Sequence, residues 1–562
     1  MAILPVDKAA PRRGAEVLLD VLQSEGVEYI FGNPGTTELP LMDALLNFPD
    51  VSYVLALQEA SAVAMADGYA QAAKRPAFLN LHTAGGLGHG FGNLLNAAVS
   101  GTPLVVTAGQ QDLRHTVTDP LLFDDLVRIA SPAVKWAREV TSPKQLPIFL
   151  RRAFNDASAA PSGPVFLSLP MDVMDEVSVV DSGEPSVIDH AVVGGSLPAL
   201  AQALAGIAPG KLAIIAGDEI HSSEAAAEVV AVAEMLGAPV YGSSWPSRIP
   251  FPTSHPLWAG NFPTTAKGIA SCLSRFDAIF ALGGKSLITI LYSEGSAVPH
   301  NCAVYQLSAD VRDLGRTYST KLSVVGHIQA SLGALLPHLK ESTATRREAY
   351  SGLLTDAIAG KAAQRKNLFA LATEQYNEPV ITPLVAACEA LRAIGPNVPI
   401  VDEAIATSRH TRAFLNSDNP NQYSFLRGGA LGWGMPAAVG CSLGIGRAPV
   451  VCLVGDGAAM YSPQALWTAA HENLPVTFIV MNNREYNVLK NFMRSQSEYV
   501  SAQTGNFIAM DMERPAIDYV ALGTSMGVTA RRIERAGDIA PAVEAALASG
   551  RPNLIEIAIS VE

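Results

Sequence analysis

Short apolar runs and helically spaced stretches alternate along nearly the whole chain. The clearest unit is PVVCLVGDGAAMYSPQALWTAAHENLPVTFIVMNN, from Pro449 to Asn483. VVCLV and VTFIV are apolar runs of strand length, and SPQALWTAAHEN between them has helical spacing. A right-handed crossover makes the two strands parallel and puts their C-terminal ends on one sheet edge. A second unit of similar length, AFLNLHTAGGLGHGFGNLLNAAVSGTPLVVTAGQQ, starts at Ala77. His82 to Gln110 spans 110 − 82 = 28 residues, against 483 − 456 = 27 for Asp456 to Asn483. Chance or generic βαβ construction accounts for short similarities of this kind more readily than duplication does. KLAIIAGDEI, APVYGSS and FDAIFALGGK in the middle of the chain are further βα units. Gly283-Gly284 ends the last of them. Without a GxGxxG or an acid on the following strand, the pair reads as a structural turn rather than a nucleotide cradle.

Two stretches interrupt the rhythm. Val180 to Ser196 (VDSGEPSVIDHAVVGGS) is Gly/Ser/Pro-rich and polar, like a linker, and Lys340 to Lys366 is charged and Ala-rich, as in a connecting helix. They divide the chain into blocks 1–182, 196–340 and 366–562. The alternation of strands and helices predicts α/β architecture with mainly parallel sheets.

Composition narrows this further. A length of 562 residues calls for two to four domains, and 49% hydrophobic with 16% charged residues fits deeply buried strands. The net charge of −13 argues against nucleic acid or an acidic membrane as partner. Cys272, Cys302, Cys388, Cys441 and Cys452 lack metal-ligand spacing and read as buried, reduced thiols. No apolar leader or run of about 18 apolar residues is present, so the expected location is cytoplasmic.

The chemistry starts at the shared sheet edge. Asp456 and Asn483 arrive side by side, and one carboxylate with one amide oxygen suits a hard cation such as Mg²⁺. Gly455 and Gly457 let the backbone approach a phosphate, and the following helix offers free N–H groups. A metal-bridged diphosphate site is the result. Glu59 follows an apolar strand and opens a helix lined with Ala, Val and Met. It reads either as an acid complementing the helix dipole or as a carboxylate in a dry pocket, available to a heterocycle. His82 ends the strand AFLNLH, at the edge where ligands collect.

FGNPGTTELP (31–40), LALQEASAVAMADGYA (55–70), LHTAGG (81–86), GPVFLSLPMDV (163–173), GALGWGMPAAVG (429–440) and GDG–x24–NN together carry a resemblance. They are similar to the thiamin-diphosphate decarboxylase and carboligase superfamily, and most of all to its benzoylformate decarboxylases. The resemblance covers essentially the whole chain and is loosest in the middle block. It implies three doubly wound parallel-sheet domains, binding pyrimidine, forming the middle, and binding diphosphate. It implies Mg²⁺ on Asp456, Asn483 and the backbone carbonyl of Glu485. Gly455, Gly457, Ala458 and Tyr486 would meet thiamin diphosphate, and Gly429 and Leu431 its pyrimidine side. Leu431 would force the folded cofactor shape, and Glu59 would activate the aminopyrimidine. Glu59 would come from one subunit and the metal site from its neighbour, so a dimer, assembled into a tetramer, is expected.

The resemblance also nominates substrate-facing residues. His82 matches an active-site histidine, and Thr36 stands where a serine faces the substrate carboxylate; turn chemistry also accounts for that threonine. Val488 and Phe492, one turn apart, would wall an apolar pocket or sit in plain core. A second active-site histidine is replaced by Ile290, which cannot shuttle protons. His115, with His89 and His300 as further candidates, is a substitute. The expected reaction is decarboxylation of an apolar or aromatic 2-oxo acid to an aldehyde. The alternatives are carboligation or acyloin cleavage, including acetolactate-synthase-like chemistry on 2-oxo acid or aldehyde substrates, and a nucleotide-binding or non-catalytic relative. The presence of Glu59, Asp456 and Asn483 together speaks against the last.

Overall fold

The computed structural model describes residues 10–561. The outermost limits of the first and last blocks, and the first nine positions read for a leader, lie outside the described residues. Three six-stranded sheets follow one another along the chain, and every strand pairing within them is parallel. The first contains β1 (Tyr29–Gly32), β2 (Ser52–Leu55), β3 (Ala77–His82), β4 (Leu104–Gln110), β5 (Ala137–Glu139) and β6 (Val165–Pro170). The second contains β7 (Leu212–Ala216), β8 (Val240–Gly242), β9 (Trp258–Asn261), β10 (Ala278–Leu282), β11 (Ala303–Ser308) and β12 (Leu322–Val325). The third contains β13 (Ile400–Glu403), β14 (Tyr423–Phe425), β15 (Val450–Gly455), β16 (Val476–Asn482), β17 (Thr529–Ile533) and β18 (Asn553–Ala558).

The orders are β2-β1-β3-β4-β6-β5, β9-β8-β7-β10-β11-β12 and β14-β13-β15-β16-β18-β17. Counted from its own first strand, each outer sheet has the same order, and the middle sheet has a different one. The echo between the units at Ala77 and Pro449 is thus repeated in the topology of whole domains. His82 and Gly455 close equivalent strands, β3 and β15.

Helices α1 (Glu59–Ala73) and α2 (Thr83–Ser100) flank β3, and α3 (Arg347–Glu374) joins the middle sheet to the third. The charged connector is interrupted: the preceding helix ends at Ser342, a short turn follows, and α3 runs well past Lys366. The polar stretch from Val180 is without helix or strand until residue 196.

One face of each outer sheet packs into a shared core, while the other face of the first sheet has a core of its own and that of the third packs with the middle domain. Phe31, Leu79 and Val106 of the first sheet belong to the same buried cluster as Cys452, Val454 and Phe478 of the third. Contact is made through α1 and its topological counterpart α4 (Gly434–Gly444). A Cβ on Gly68 would lie 2.1 Å from the Ala437 carbonyl oxygen, and one on Gly440 only 1.8 Å from that of Met65. Backbone therefore packs on backbone, which only glycine permits here. The cysteines are unpaired; four are buried, whereas Cys272 is half-buried. Among the described residues no helix is long and apolar enough to cross a membrane.

Candidate active site

β15 and β16 are neighbours in register from Val450–Val476 to Gly455–Met481, so their carboxyl ends coincide. Asp456 begins a one-turn helix there, 5% exposed, and its carboxylate accepts the backbone N–H of Gly457 at 2.8 Å and of Arg484 at 2.6 Å. Burial raises its pKa to about 6 despite those donors and the Asn483 amide. A carboxylate held in that state gains from a nearby cation. The two asparagines at the end of β16 divide their work: Asn482, its last residue, donates to Glu556 within the sheet at 2.7 Å, while Asn483 accepts the Glu485 N–H at 3.1 Å. A carboxylate, an amide oxygen and backbone carbonyls form an oxygen-only set that fits a hard divalent ion. The Tyr486 ring covers Gly457, where a Cβ would lie 2.5 Å from the ring edge, and Ala458 follows, nearly buried.

Glu59 is the first residue of α1, with 10% of its side chain exposed. One carboxylate oxygen faces Asn33 Nδ2 at 3.3 Å, and the other lies 3.1 Å from His89 Nδ1. Gly86 leaves the remaining space, since a Cβ there would stand 3.1 Å from Glu59 Oε1. Asn33 and His89 are thus assigned as carboxylate partners by the tertiary structure. In the third domain, Gly429 and Gly432 have φ of 84° and 92°, and Leu431, between them in sequence, is half-buried against the core shared by the outer domains.

His82 closes β3 and is 21% exposed through its side chain. Its Nδ1 lies 2.8 Å from Glu38 Oε2, and a carboxylate only accepts, so Nδ1 carries hydrogen and the opposite nitrogen is left for solvent or ligand. Glu38 also accepts from Gly35 N at 2.9 Å, Thr37 Oγ1 at 2.8 Å and Gly109 N at 3.0 Å. Its hydrogen bond pushes the His82 pKa up, against burial. The ring lies flat against Gly35, where a Cβ would come within 2.4 Å.

Residues 12–126 match the thiamine pyrophosphate enzyme N-terminal TPP binding domain, 199–335 the central domain, and 406–557 the C-terminal TPP binding domain. A benzoylformate decarboxylase of Pseudomonas aeruginosa is 32% identical over 96% of this chain and 97% of its own. The chain belongs to the thiamine pyrophosphate enzyme family. An acetolactate synthase large subunit of Corynebacterium glutamicum is 25% identical over 98% of the chain and 88% of its own. Among solved structures, the Rhodococcus jostii thiamine diphosphate-dependent 4-hydroxybenzoylformate decarboxylase superposes with a TM-score of 0.85 at 27% identity, covering 98% and 100% of the two chains. The benzoylformate decarboxylase of Polynucleobacter necessarius gives 0.84 at 29%, covering 98% and 99%.

Within this thiamine pyrophosphate enzyme, other nominated residues scatter more widely. Thr36 is exposed at the start of a 3-10 turn, while its neighbour Thr37 is the hydroxyl beside His82, at 3.1 Å. His115 is exposed in the loop after β4, His300 is exposed just before β11, and Ile290 is 42% exposed after β10. Val488 and Phe492 lie half-buried on α5 (Asn487–Arg494). Glu38 and Glu403 are the carboxylates that sequence reasoning missed. Glu38 lay in plain view within FGNPGTTELP, but only folding brings His82, 44 residues away, to it. Glu403, fully buried at the end of β13, accepts N–H groups of Gly432, Trp433 and Gly434, and burial raises its pKa to about 7.

Proposed function

We propose that this chain is a thiamin-diphosphate- and Mg²⁺-dependent lyase that removes CO₂ from an apolar or aromatic 2-oxo acid to give an aldehyde. The observation that carries the reading is the His82–Glu38 pair at a strand end: a buried carboxylate favouring the cationic form of a half-open imidazole. A cation there attracts the carboxylate of an incoming 2-oxo acid and holds a proton ready for the aldehyde carbon. The benzoylformate decarboxylase of Pseudomonas aeruginosa, by its similarity along the whole chain, supports the substrate class.

When bound, thiamin diphosphate supplies the carbon nucleophile and the electron sink. Asp456, Asn483 and the Glu485 carbonyl would hold Mg²⁺, with Gly455, Gly457, Ala458 and Tyr486 around the diphosphate. Glu59 would hydrogen-bond the aminopyrimidine ring, its proton available to the ring so that the imino tautomer is favoured, and Gly429 and Leu431 would shape that ring's seat. Thr36, His82, His115, Ile290, Val488 and Phe492 are the proposed substrate-side residues. The same reading keeps 1–182, 196–340 and 366–562 as the domains, each enclosing one six-stranded sheet, in a cytoplasmic enzyme.

Two copies are proposed to complete each site, with a tetramer as their assembly. On α2, Gly85, Gly88, His89, Gly92, Leu95 and Val99 are exposed at helical spacing beside Glu59, and Leu95 and Val99 are 39% and 49% exposed. Such a face suits a second helix at close approach. Sedimentation showing only monomers in the presence of thiamin diphosphate and Mg²⁺ rejects this assembly.

A carboligase is the second reading, favoured by Ile290, 42% exposed, where the resemblance would put an acid–base histidine. A panel of 2-oxo acids, with and without an acceptor aldehyde, separates the two by measuring CO₂ and 2-hydroxyketone. Free aldehyde with stoichiometric CO₂ supports the lyase. Hydroxyketone as the main product replaces it with the carboligase.

A further inference from the structure

The strand order of the middle sheet opens a crevice at the carboxyl ends of its central strands β7 and β10, where connections leave in opposite directions. The protein fills this crevice itself. Glu219, just beyond β7, accepts the N–H of Gly284 at 2.7 Å, the N–H of Ala309 at 2.8 Å and the Ser308 hydroxyl at 2.5 Å. Two backbone N–H groups and a hydroxyl are the kind of donors that an anionic ligand at such a position would use. A Cβ on Gly283, which has φ of 74°, would stand 2.6 Å from the Glu219 Cβ, so the turn and the acid are fitted together.

Beside Glu219, the same crevice grips a residue of another domain. Asp218 accepts the Ser247 N–H through Oδ1 at 2.9 Å, and its Oδ2 lies 2.8 Å from Arg427 Nε. The Nε–H points off the carboxylate, so the attraction is coulombic rather than a directed hydrogen bond. Directed bonds come from the fork: Nη1 donates to the Trp245 carbonyl at 2.7 Å and Nη2 to that of Lys285 at 3.1 Å. The Arg427 side chain is only 6% exposed, and all these partners belong to the middle domain.

Arg427 leads directly into Gly428-Gly429-Ala430-Leu431-Gly432. A glycine-rich loop has much conformational freedom to lose, and each domain restrains this one at a different point. Asn96 of α2 accepts the Ala430 N–H at 3.0 Å and donates to its carbonyl at 2.8 Å. Glu403 holds the three amides after Leu431. Arg427 holds the entrance. A planar guanidinium fixes direction as well as position, which an ammonium does not.

We infer that Arg427 is a positioning residue, through which the middle domain uses its own ligand crevice to preset the 428–432 loop for the pyrimidine side of thiamin diphosphate. What the loop meets rests on the function proposed above; that the middle domain sets the loop does not.

The test compares the full-length apoprotein with Arg427→Ala, Arg427→Lys and Asp218→Asn. Amide exchange is followed in peptides covering 426–434, and calorimetry measures Mg²⁺–thiamin diphosphate and Mg²⁺–pyrophosphate binding. Arg427→Ala should speed exchange in the loop and weaken thiamin diphosphate by about ten-fold or more, with pyrophosphate within about two-fold of wild type. Arg427→Lys should fall between. Equal weakening of both ligands with faster exchange throughout is general destabilisation and overturns the proposal. Unchanged loop exchange and unchanged thiamin diphosphate affinity overturn it too. If Arg427→Ala does not fold, Asp218→Asn carries the same comparison, since it keeps the arginine and removes only the facing charge. Wild-type protein that binds neither ligand rejects the cofactor reading, and loop exchange still decides the role of Arg427.

Discussion

Nδ1 of His82 lies 2.8 Å from Oε2 of Glu38, joining a half-open imidazole to a carboxylate whose side chain is 1% exposed. Glu38 comes from the connection between β1 and β2 and His82 from the end of β3, and Gly35 lies flat against the imidazole ring. This pair gives the protein a titrating group at the mouth of the proposed site.

Its pH dependence has a definite sign. The folded pKa of His82 lies above the ordinary value of 6.5, chiefly through the Glu38 hydrogen bond. The pairing therefore stabilises the fold fully below about pH 6.5, and that contribution is lost as pH rises through the folded value. Glu38→Gln should lower the His82 pKa in an imidazole NMR titration and flatten this part of the stability profile. An unchanged pKa would show that Glu38 does not control the ring.

His82→Ala should reduce CO₂ release from a 2-oxo acid by roughly 10²–10⁴, the range for a positioned acid or base. Steady-state turnover with saturating thiamin diphosphate and Mg²⁺ measures it. Turnover equal to wild type would return His82 to a structural role.

Glu59 and Asp456 should fail differently. Glu59→Gln should nearly abolish proton exchange at the reactive ring carbon of bound thiamin diphosphate, while calorimetry still detects binding. Asp456→Ala should lose Mg²⁺-dependent binding itself. Normal exchange in the first variant, or normal binding in the second, would reassign that residue.

Gly440→Ala tests the joint between the outer domains. The added methyl would sit 1.8 Å from the Met65 carbonyl oxygen, so α1 and α4 must part. A loss of about 1–3 kcal/mol or more is expected from overpacking, read as a lower denaturation midpoint. A midpoint at the wild-type value would mean that the helices have slack at this crossing.

Local pattern carried much of this molecule. The apolar runs VVCLV and VTFIV are β15 and β16, and the side-by-side ends of those strands follow from the parallel crossover alone. Glu59 at a helix start and His82 at a strand end were legible for the same reason: each is set by residues within one turn or one strand. The connector near Lys340 was only partly legible, because a helix boundary such as the turn after Ser342 depends on capping and packing more than on composition.

The sequence by itself determined the α/β class, the repeated strand–turn–helix–strand units, and the Asp456–Asn483 and Glu59 positions, because short-range periodicity and chirality are properties of neighbouring residues. The tertiary structure alone decided that the two outer sheets share one core, that Glu38 pairs with His82, and that Arg427 is held by the middle domain. The last two of those relations join residues 82 − 38 = 44 and 427 − 218 = 209 positions apart, and the shared core joins residues further apart still. Their energies come from burial and charge at close range, and no residue's type or local spacing reveals which distant partner folding will bring to it.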